Sequence, residues 1–419
     1  MRVILLGLIA VLSFVAGGYE KDGMTLGLGV AATLAAVAAW PTIKIPTFLK
    51  IMSELFAVET FALGLLILVE TLDKWPAEYA AYAPARYLPI ATALFVVGLT
   101  LLIRVPFVQR MMRIADPFFE ARTPISIRAW PLPRFSLRQS VYSRINVLFL
   151  ILVNQFQVGI GVRLNFFYRD FGNAIQVPDE AHRDAFWTQL LWVFTPLVTI
   201  VIISFLIEFY VAQNFVLQWR RWMTASYTSR WLLRSIHYKM ALKGDVSDNP
   251  DQRISEDIGG FVSGSGGLGA YSNAGIYNYT LQALTTATNL VAYSIILWSI
   301  SSTMDLSVFG VPIPGFLFWC AVLYACFATG MMQLIGHKLA GLMFQQQAVE
   351  ANFRFDLARI REYSEQIALL KGESREIDRA GRVFGEVFTT VQRIIRVRTR
   401  LNAFLQFYLQ ISAIIPYLV

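Results

Sequence analysis

The run WTQLLWVFTPLVTIVIISFLIEFYVA, Trp187–Ala212, decides the fold. Its one ionisable side chain is Glu208. A bilayer core about 30 Å thick is crossed by roughly 20 apolar residues in a helix, so this run is long enough to span. Similar runs lie on either side. Before it come Val3–Ala16, Met24–Trp40, Ile51–Leu72, Tyr87–Val108 and Ile145–Val162. After it come Tyr279–Ile300, Ile313–Ile335 and Leu401–Val419. The fold class expected is all-α, a polytopic helical membrane protein. Composition agrees: 56% of the 419 residues are apolar and 15% are charged, where a soluble domain carries about 25% charged residues. Val3–Ala16 follows Arg2 and precedes small residues, as a signal peptide would. Equally apolar runs follow closely, which favours a short first span.

The basic residues set the expected orientation. The stretch 110–144, with Arg104 before it, holds Arg110, Arg113, Arg122, Arg128, Arg134, Arg138 and Arg144. The segment 213–275 holds Arg220, Arg221, Arg230, Arg234, Lys239, Lys243 and Arg253, and 338–400 is richer still. If every run crosses, these segments share one side with Lys44 and Lys50. The other side keeps only Lys21, Lys74, Arg86, Arg163, Arg169 and Arg183. The positive-inside rule then places the N-terminus and the long loops in the cytoplasm. The net charge of +8 is read as this topology signal. Aromatic residues and arginines do not interleave along one basic face, so no nucleic-acid partner is expected.

Two connections stand out. Residues 213–275 and 338–400 are each about 60 residues long and helical in pattern. Each has the length for two limbs of about 45 Å, out and back. Such hairpins suit gripping a partner below the bilayer, or else a bundle that props the spans.

Catalytic sets are missing from the sequence. There is no G-x-x-x-x-G-K-[ST] phosphate loop, no G-x-S-x-G elbow and no H-E-x-x-H. Gly264-Ser265-Gly266-Gly267-Leu268-Gly269 lacks the lysine and reads as a flexible break before a span. Cys320 and Cys326 face different sides of one helical run and cannot pair. His182, His237 and His337 show no ligand spacing, so neither a metal nor a cofactor is expected in this chain.

The polar patches are more informative. In Asp248–Ile258, Pro250 suits a first helical position with Asn249 as cap. Asp251 and Glu256 flank Arg253, with Asp257 next. In Gln345–Glu373, Glu350–Arg354 and Arg361–Glu365 have i,i+4 spacing, with Glu362 between, worth about 0.2–0.5 kcal/mol a pair. Phe353, Leu357 and Ile360 give that helix an apolar side. Trp219-Arg220-Arg221-Trp222 follows a span, where tryptophan and arginine favour the membrane interface. Ionisable residues inside spans carry a functional expectation, a cavity or a proton path, at Glu59 and Glu208.

These patches resemble one family. Asn165-Phe166-Phe167-Tyr168-Arg169-Asp170-Phe171-Gly172-Asn173-Ala174-Ile175-Gln176 is similar to its N-x-W-x-R-D-F-Y-x-A-L-Q signature. Gln218–Thr224 is similar to W-R-x-W-[LM]-T, Asp248–Ile258 to D-N-P-D-Q-R-I-x-E-D-I, and Glu350–Phe355 to E-A-x-[FY]-R. The family is the SbmA/BacA-like membrane domain of the ABC-exporter type, related to peroxisomal fatty-acyl ABC half-transporters. The resemblance covers about residues 140–419. Phe167 and Gly172 depart from the aromatic positions of the signature.

The resemblance implies a homodimer in the bacterial inner membrane with six core spans per subunit. It places Asn165, Arg169, Asp170 and Gln176 on the periplasmic side. Asp251, Arg253, Glu256, Asp257, Glu350, Arg354, Arg361 and Glu362 fall in hairpins that contact a nucleotide-binding domain, which brings ATP and Mg. It implies peptides or other bulky hydrophilic solutes as cargo. Members without an ATPase use the proton gradient instead. The expected layout is a membrane extension over 1–110, a basic cytoplasmic linker over 111–144 and the transmembrane domain over 145–419. Only five core spans precede Val419, so the sequence is expected to be a fragment or to continue. A proton-driven importer and a non-transporting scaffold are the rival readings.

Overall fold

The structure is a computed structural model. It describes all residues except 41–44, 73–86, 128–134, 177–185, 244–249, 265–274, 303–306, 309–310, 313 and 419. The Asn249 cap, the glycine run after Gly264, and Arg128 and Arg134 lie outside the described residues. The chain divides into two compact units, Met1–Ala292 and Tyr293–Val419, and each is taken by itself.

The first unit opens with α1 (Arg2–Glu20), α2 (Gly23–Ala38), α3 (Thr47–Thr71) and α4 (Leu88–Ile103). α1 ends on Lys21 at φ 53°. Asp22 then caps α2, accepting from the Met24 amide at 3.1 Å and the Thr25 hydroxyl at 2.6 Å. Gly17 permits this tight reversal: a Cβ there would sit 2.8 Å from the Leu26 backbone nitrogen. Leu6 and Ile9 are fully buried in the resulting bundle. Arg2 ties three helix ends together. Its guanidinium donates to the Ala39 carbonyl at 3.2 Å and the Ser53 hydroxyl at 3.4 Å.

The run Tyr87–Val108 is not one straight helix. α4 stops at Ile103, and α5 (Pro106–Glu120) leaves at 90° to it. Val105, Phe107 and Val108 prolong the apolar count. Pro106 has no amide hydrogen to donate into α4, but it suits the first turn of a new helix. A small antiparallel hairpin follows, β1 (Pro124–Ile127) with β2 (Phe135–Arg138). It leads into α6 (Gln139–Gln176) and, after a π-helical turn at Gln189–Phe194, α7 (Thr195–Leu232). Each of these two helices has 38 residues, about 57 Å, far more than a bilayer core needs.

α7 reverses at Leu233–Ser235, where Arg234 and Ser235 take φ 56° and 55°. A short helix, Ile236–Lys243, follows. The chain returns through Pro250–Gln252, a π-helical Arg253–Asp257 and Ile258–Ser263. The outward limb beyond Ala212 is therefore about 20 residues, or 30 Å, shorter than the 45 Å expected. α8 (Ile276–Ser302) carries the next apolar run. Asn154 of α6 donates to the Thr285 hydroxyl of α8 at 2.6 Å.

The second unit continues with a two-residue hairpin, β3 (Ser307–Val308) with β4 (Val311–Pro312). α9 (Phe316–Gly336) and α10 (Leu339–Glu362) together form a path of 47 residues without a sharp bend. A turn at Ser364–Leu369 leads to α11 (Glu373–Leu418), of 46 residues. α11 runs back along α9 and α10. Near the membrane end, Tyr324 stacks on Tyr408 at 4.5 Å and donates to its carbonyl at 2.7 Å.

Among the described residues, five helices are long and apolar enough to cross a membrane, or six with the bent α4–α5 pair. α2 has 16 residues, about 24 Å, and is short for a full crossing.

Candidate functional site

The residues singled out from the sequence fall into four places. The best built is the α10–α11 hairpin. Arg379 reaches Asp356 at 3.0 Å, and Arg359 reaches Glu376 at 3.2 Å. Phe353 meets Phe384 with ring centres 5.3 Å apart. Asp356 is 7% exposed, while Val387, Thr390 and Ile394 form the buried face of α11. Apolar packing and two cross-helix ion pairs thus hold two long rods together. Glu350 sits higher on α10 and accepts from the Gln346 amide at 2.8 Å. Arg354, Arg361 and Glu362 lie on the exposed side.

The expected Arg361–Glu365 pair does not form among the described residues. α10 ends at Glu362 and Tyr363 leaves helical geometry at φ −99°, ψ 21°, so i,i+4 spacing no longer brings those side chains together. The hairpin closes where Lys371 takes φ 51°, and its tip presents Leu369 and Leu370, 77% and 82% exposed.

The second place is the returning limb 250–263. Arg253 pairs with Asp257 at 2.6 Å, and Gln252 donates to Glu256 at 3.2 Å. Asp251 is exposed. The sequence pointed to Asp251 and Glu256 beside Arg253. The π-helical turn and the i,i+4 step bring Asp257 to it. The limb is fastened to α7, since Arg220 donates to the Ser255 carbonyl at 3.2 Å. Gly259 leaves room for that guanidinium: a Cβ would lie 3.1 Å from its central carbon. Ile258 and Val262 are buried in the main core.

The third place is Trp219-Arg220-Arg221-Trp222. Trp219 is 2% exposed. It stacks on Phe118 of α5 at 5.2 Å and 14°, and touches Phe119 and Phe215 at 5.3 and 5.7 Å. Trp222 adds an edge contact to Phe118 at 5.9 Å. Phe48 of α3 joins through Phe119 at 5.6 Å. Aromatic pairs contribute about 0.5–1.5 kcal/mol each beyond burial, so this cluster welds α3, α5 and α7. The motif had the marks of an interface anchor. Arg221 is exposed in that manner, but Trp219 is a core residue.

The fourth place is the C-terminal part of α6. Asn165, Arg169, Asp170 and Gln176 all lie on the helix, whereas the sequence placed them in a connection after Val162. Asn165 donates to the Gly161 carbonyl at 3.2 Å, and Arg169 pairs with neighbouring Asp170 at 2.9 Å. Phe167 stacks on Phe171 and Phe194 at 5.2 and 5.1 Å, which fixes this end of α6 against the start of α7. The two ionisable span residues part company. Glu59 of α3 accepts from the Gln155 amide of α6 at 3.0 Å, so it joins the first helices to the later ones. Glu208 is half-buried on α7. Among the described residues no cluster of His, Cys, Asp and Glu could hold a metal, and nothing resembles a catalytic constellation.

Helices long and apolar enough to cross a membrane, some running on as paired rods, define a multi-pass membrane domain. The chain belongs to the family described as ABC transporter transmembrane region 2, which it matches over residues 132–419. It is 26% identical over 284 residues to an uncharacterized ABC transporter ATP-binding protein of Haemophilus influenzae, covering 68% of this chain and 45% of that one. It is 26% identical over 293 residues to the inner membrane ABC transporter ATP-binding protein YddA of Escherichia coli, covering 68% and 49%. It is 28% identical over 258 residues to the chloroplastic ABC transporter D family member 2 of Arabidopsis thaliana, covering 62% and 32%. The chain spans less than half the length of these relatives. The bundle α1–α4 and helix α5 precede the matched region.

Proposed function

We propose that this chain is the membrane-spanning part of a homodimeric transporter in the bacterial inner membrane, with the basic loops and the N-terminus cytoplasmic. Its cargo is a peptide or another bulky hydrophilic solute, and ATP drives it through a nucleotide-binding domain that engages the hairpins. The observation that carries this reading is the α10–α11 hairpin. From Leu401 to Gly372 it is about 43 Å long, cross-braced by two ion pairs, and it ends in exposed Leu369 and Leu370. A braced rod with an apolar tip transmits displacement to a partner groove.

Ile377, Phe384, Phe388 and Ile395 support the second copy. They form an exposed stripe at near-heptad spacing along α11, between 49% and 70% exposed. Relatives described as ABC transporter ATP-binding proteins favour ATP as the energy source. The order of the motifs at 165–176, 218–224, 248–258 and 350–355 favours the SbmA/BacA branch.

The test is the Leu369→Asp/Leu370→Asp variant in the complete transporter. Membrane insertion and dimer formation are expected to persist, while substrate-stimulated ATP hydrolysis and uptake fall together to background. Unchanged stimulated turnover would remove the tip from coupling. The proton-driven reading rests on Glu59, a carboxylate within a span facing Gln155. Uptake that stops with an uncoupler and continues without ATP would select it.

A further inference from the structure

α5 has two unlike sides. Met112, Ala115, Phe118 and Phe119 are buried against the core. The opposite side is open. Phe107 and Ile114, two turns apart on one line, are 68% and 44% exposed. Arg110 and Arg113 stand beside them, and Arg104 sits at the bend, all exposed.

None of these three arginines meets a carboxylate among the described residues. The Arg110 Nε donates only to the Pro106 carbonyl of its own helix, at 3.4 Å. The acidic residues of α5 are engaged elsewhere. Asp116 accepts from the Thr47 amide at 2.8 Å, and Glu120 accepts from the Thr47 hydroxyl at 3.5 Å. Among the described residues, the open side therefore presents positive charge without a counter-ion of its own, interleaved with large apolar side chains.

The setting says what faces it. α4 is an apolar helix and α5 turns 90° from it. If α4 stands along the bilayer normal, α5 lies in the plane of the membrane surface for about 22 Å. A helix so placed, with arginines on one face and a phenylalanine between them, rests at the boundary of headgroups and acyl chains. A soluble anion would satisfy the arginines and leave Phe107 and Ile114 in water.

We infer that the open face of α5 is a binding site for anionic phospholipid. Arg104, Arg110 and Arg113 take the headgroup phosphates, and Phe107 and Ile114 enter the acyl region. That this phospholipid belongs to the inner leaflet rests on the cytoplasmic placement proposed above. The binding itself does not, because both leaflets of a nanodisc carry the same lipid.

The experiment uses the full chain in nanodiscs of phosphatidylcholine with a fraction of phosphatidylglycerol. Native mass spectrometry after mild delipidation reads which lipid stays bound. The wild type is expected to retain phosphatidylglycerol over phosphatidylcholine. Each arginine near an anionic surface contributes about a fivefold preference, so Arg104→Gln/Arg110→Gln/Arg113→Gln should lower it by roughly a hundredfold. Arg110→Gln alone removes no contact to another element and keeps the fold. It should lower the preference about fivefold. Phe107→Ser should shorten retention of both lipids. Equal retention of the two lipids by the wild type, an unchanged preference in the triple variant, or full displacement by excess inorganic phosphate would each overturn the inference.

Discussion

Removing Arg379 should loosen the α10–α11 hairpin more than removing its partner. The two charges are 3.0 Å apart, with Asp356 side-chain exposure at 9% and Arg379 at 43%. At that separation Coulomb attraction is worth about 1–5 kcal/mol between water-like and protein-like screening, and the half-exposed arginine places it near the lower end. Arg379→Ala also strands a buried carboxylate, at about 1–3 kcal/mol. The total is about 2–3 kcal/mol, or roughly 30- to 150-fold in the population of the opened hairpin. Asp356→Ala leaves an arginine that turns to water, so it should cost under about 1 kcal/mol. The double variant should behave like Asp356→Ala, since nothing then remains unpaired. Amide hydrogen exchange along residues 373–395 of the intact protein in a bilayer reads this opening directly. The reasoning fails if Asp356→Ala accelerates exchange as much as Arg379→Ala, or if the double variant is as loose as Arg379→Ala.

Gly315 takes φ +71°, and a Cβ there would run into the Trp298 ring. Gly315→Ala is expected to cost about 2–4 kcal/mol, from left-handed backbone strain and overpacking together. It should lower the thermal midpoint of the purified protein, and a midpoint equal to wild type would contradict it. A reporter fused after Arg400 should give a cytoplasmic-side signal, and an outer-side signal would invert the proposed orientation.

Five of the nine expected runs fall on helices long and apolar enough to cross, legible because lipid imposes length and composition on any crossing helix. The break at Arg104 was harder to see. Hydropathy adds Val105, Phe107 and Val108 to the run, whereas the chain obeys Pro106. Asn165–Gln176 read as a connection because it is polar, yet polarity does not end a helix, and α6 runs through it. The role of Trp219 depended on Phe118 and Phe119, about 100 residues earlier in the chain. No local pattern announces such partners. The same limit applied to Glu59, whose partner Gln155 lies on a helix distant in sequence. The charges at 350–365 were visible, but which of them pair was decided by where α10 stops and how α11 lies beside it. Arg379 and Glu376, which make the cross-helix bonds, carried no motif at all.

α11 is one uninterrupted rod of 46 residues, about 69 Å from end to end. A rod of that length is a mechanical lever. A rotation of about ten degrees about one end sweeps the other through about 12 Å, with no residue changing its backbone conformation. If the chain carries a solute as proposed, small rearrangements around it would arrive at Leu369 and Leu370 magnified. A jolt at that tip would return to the bilayer as a fine adjustment, gearing down in one direction what it gears up in the other.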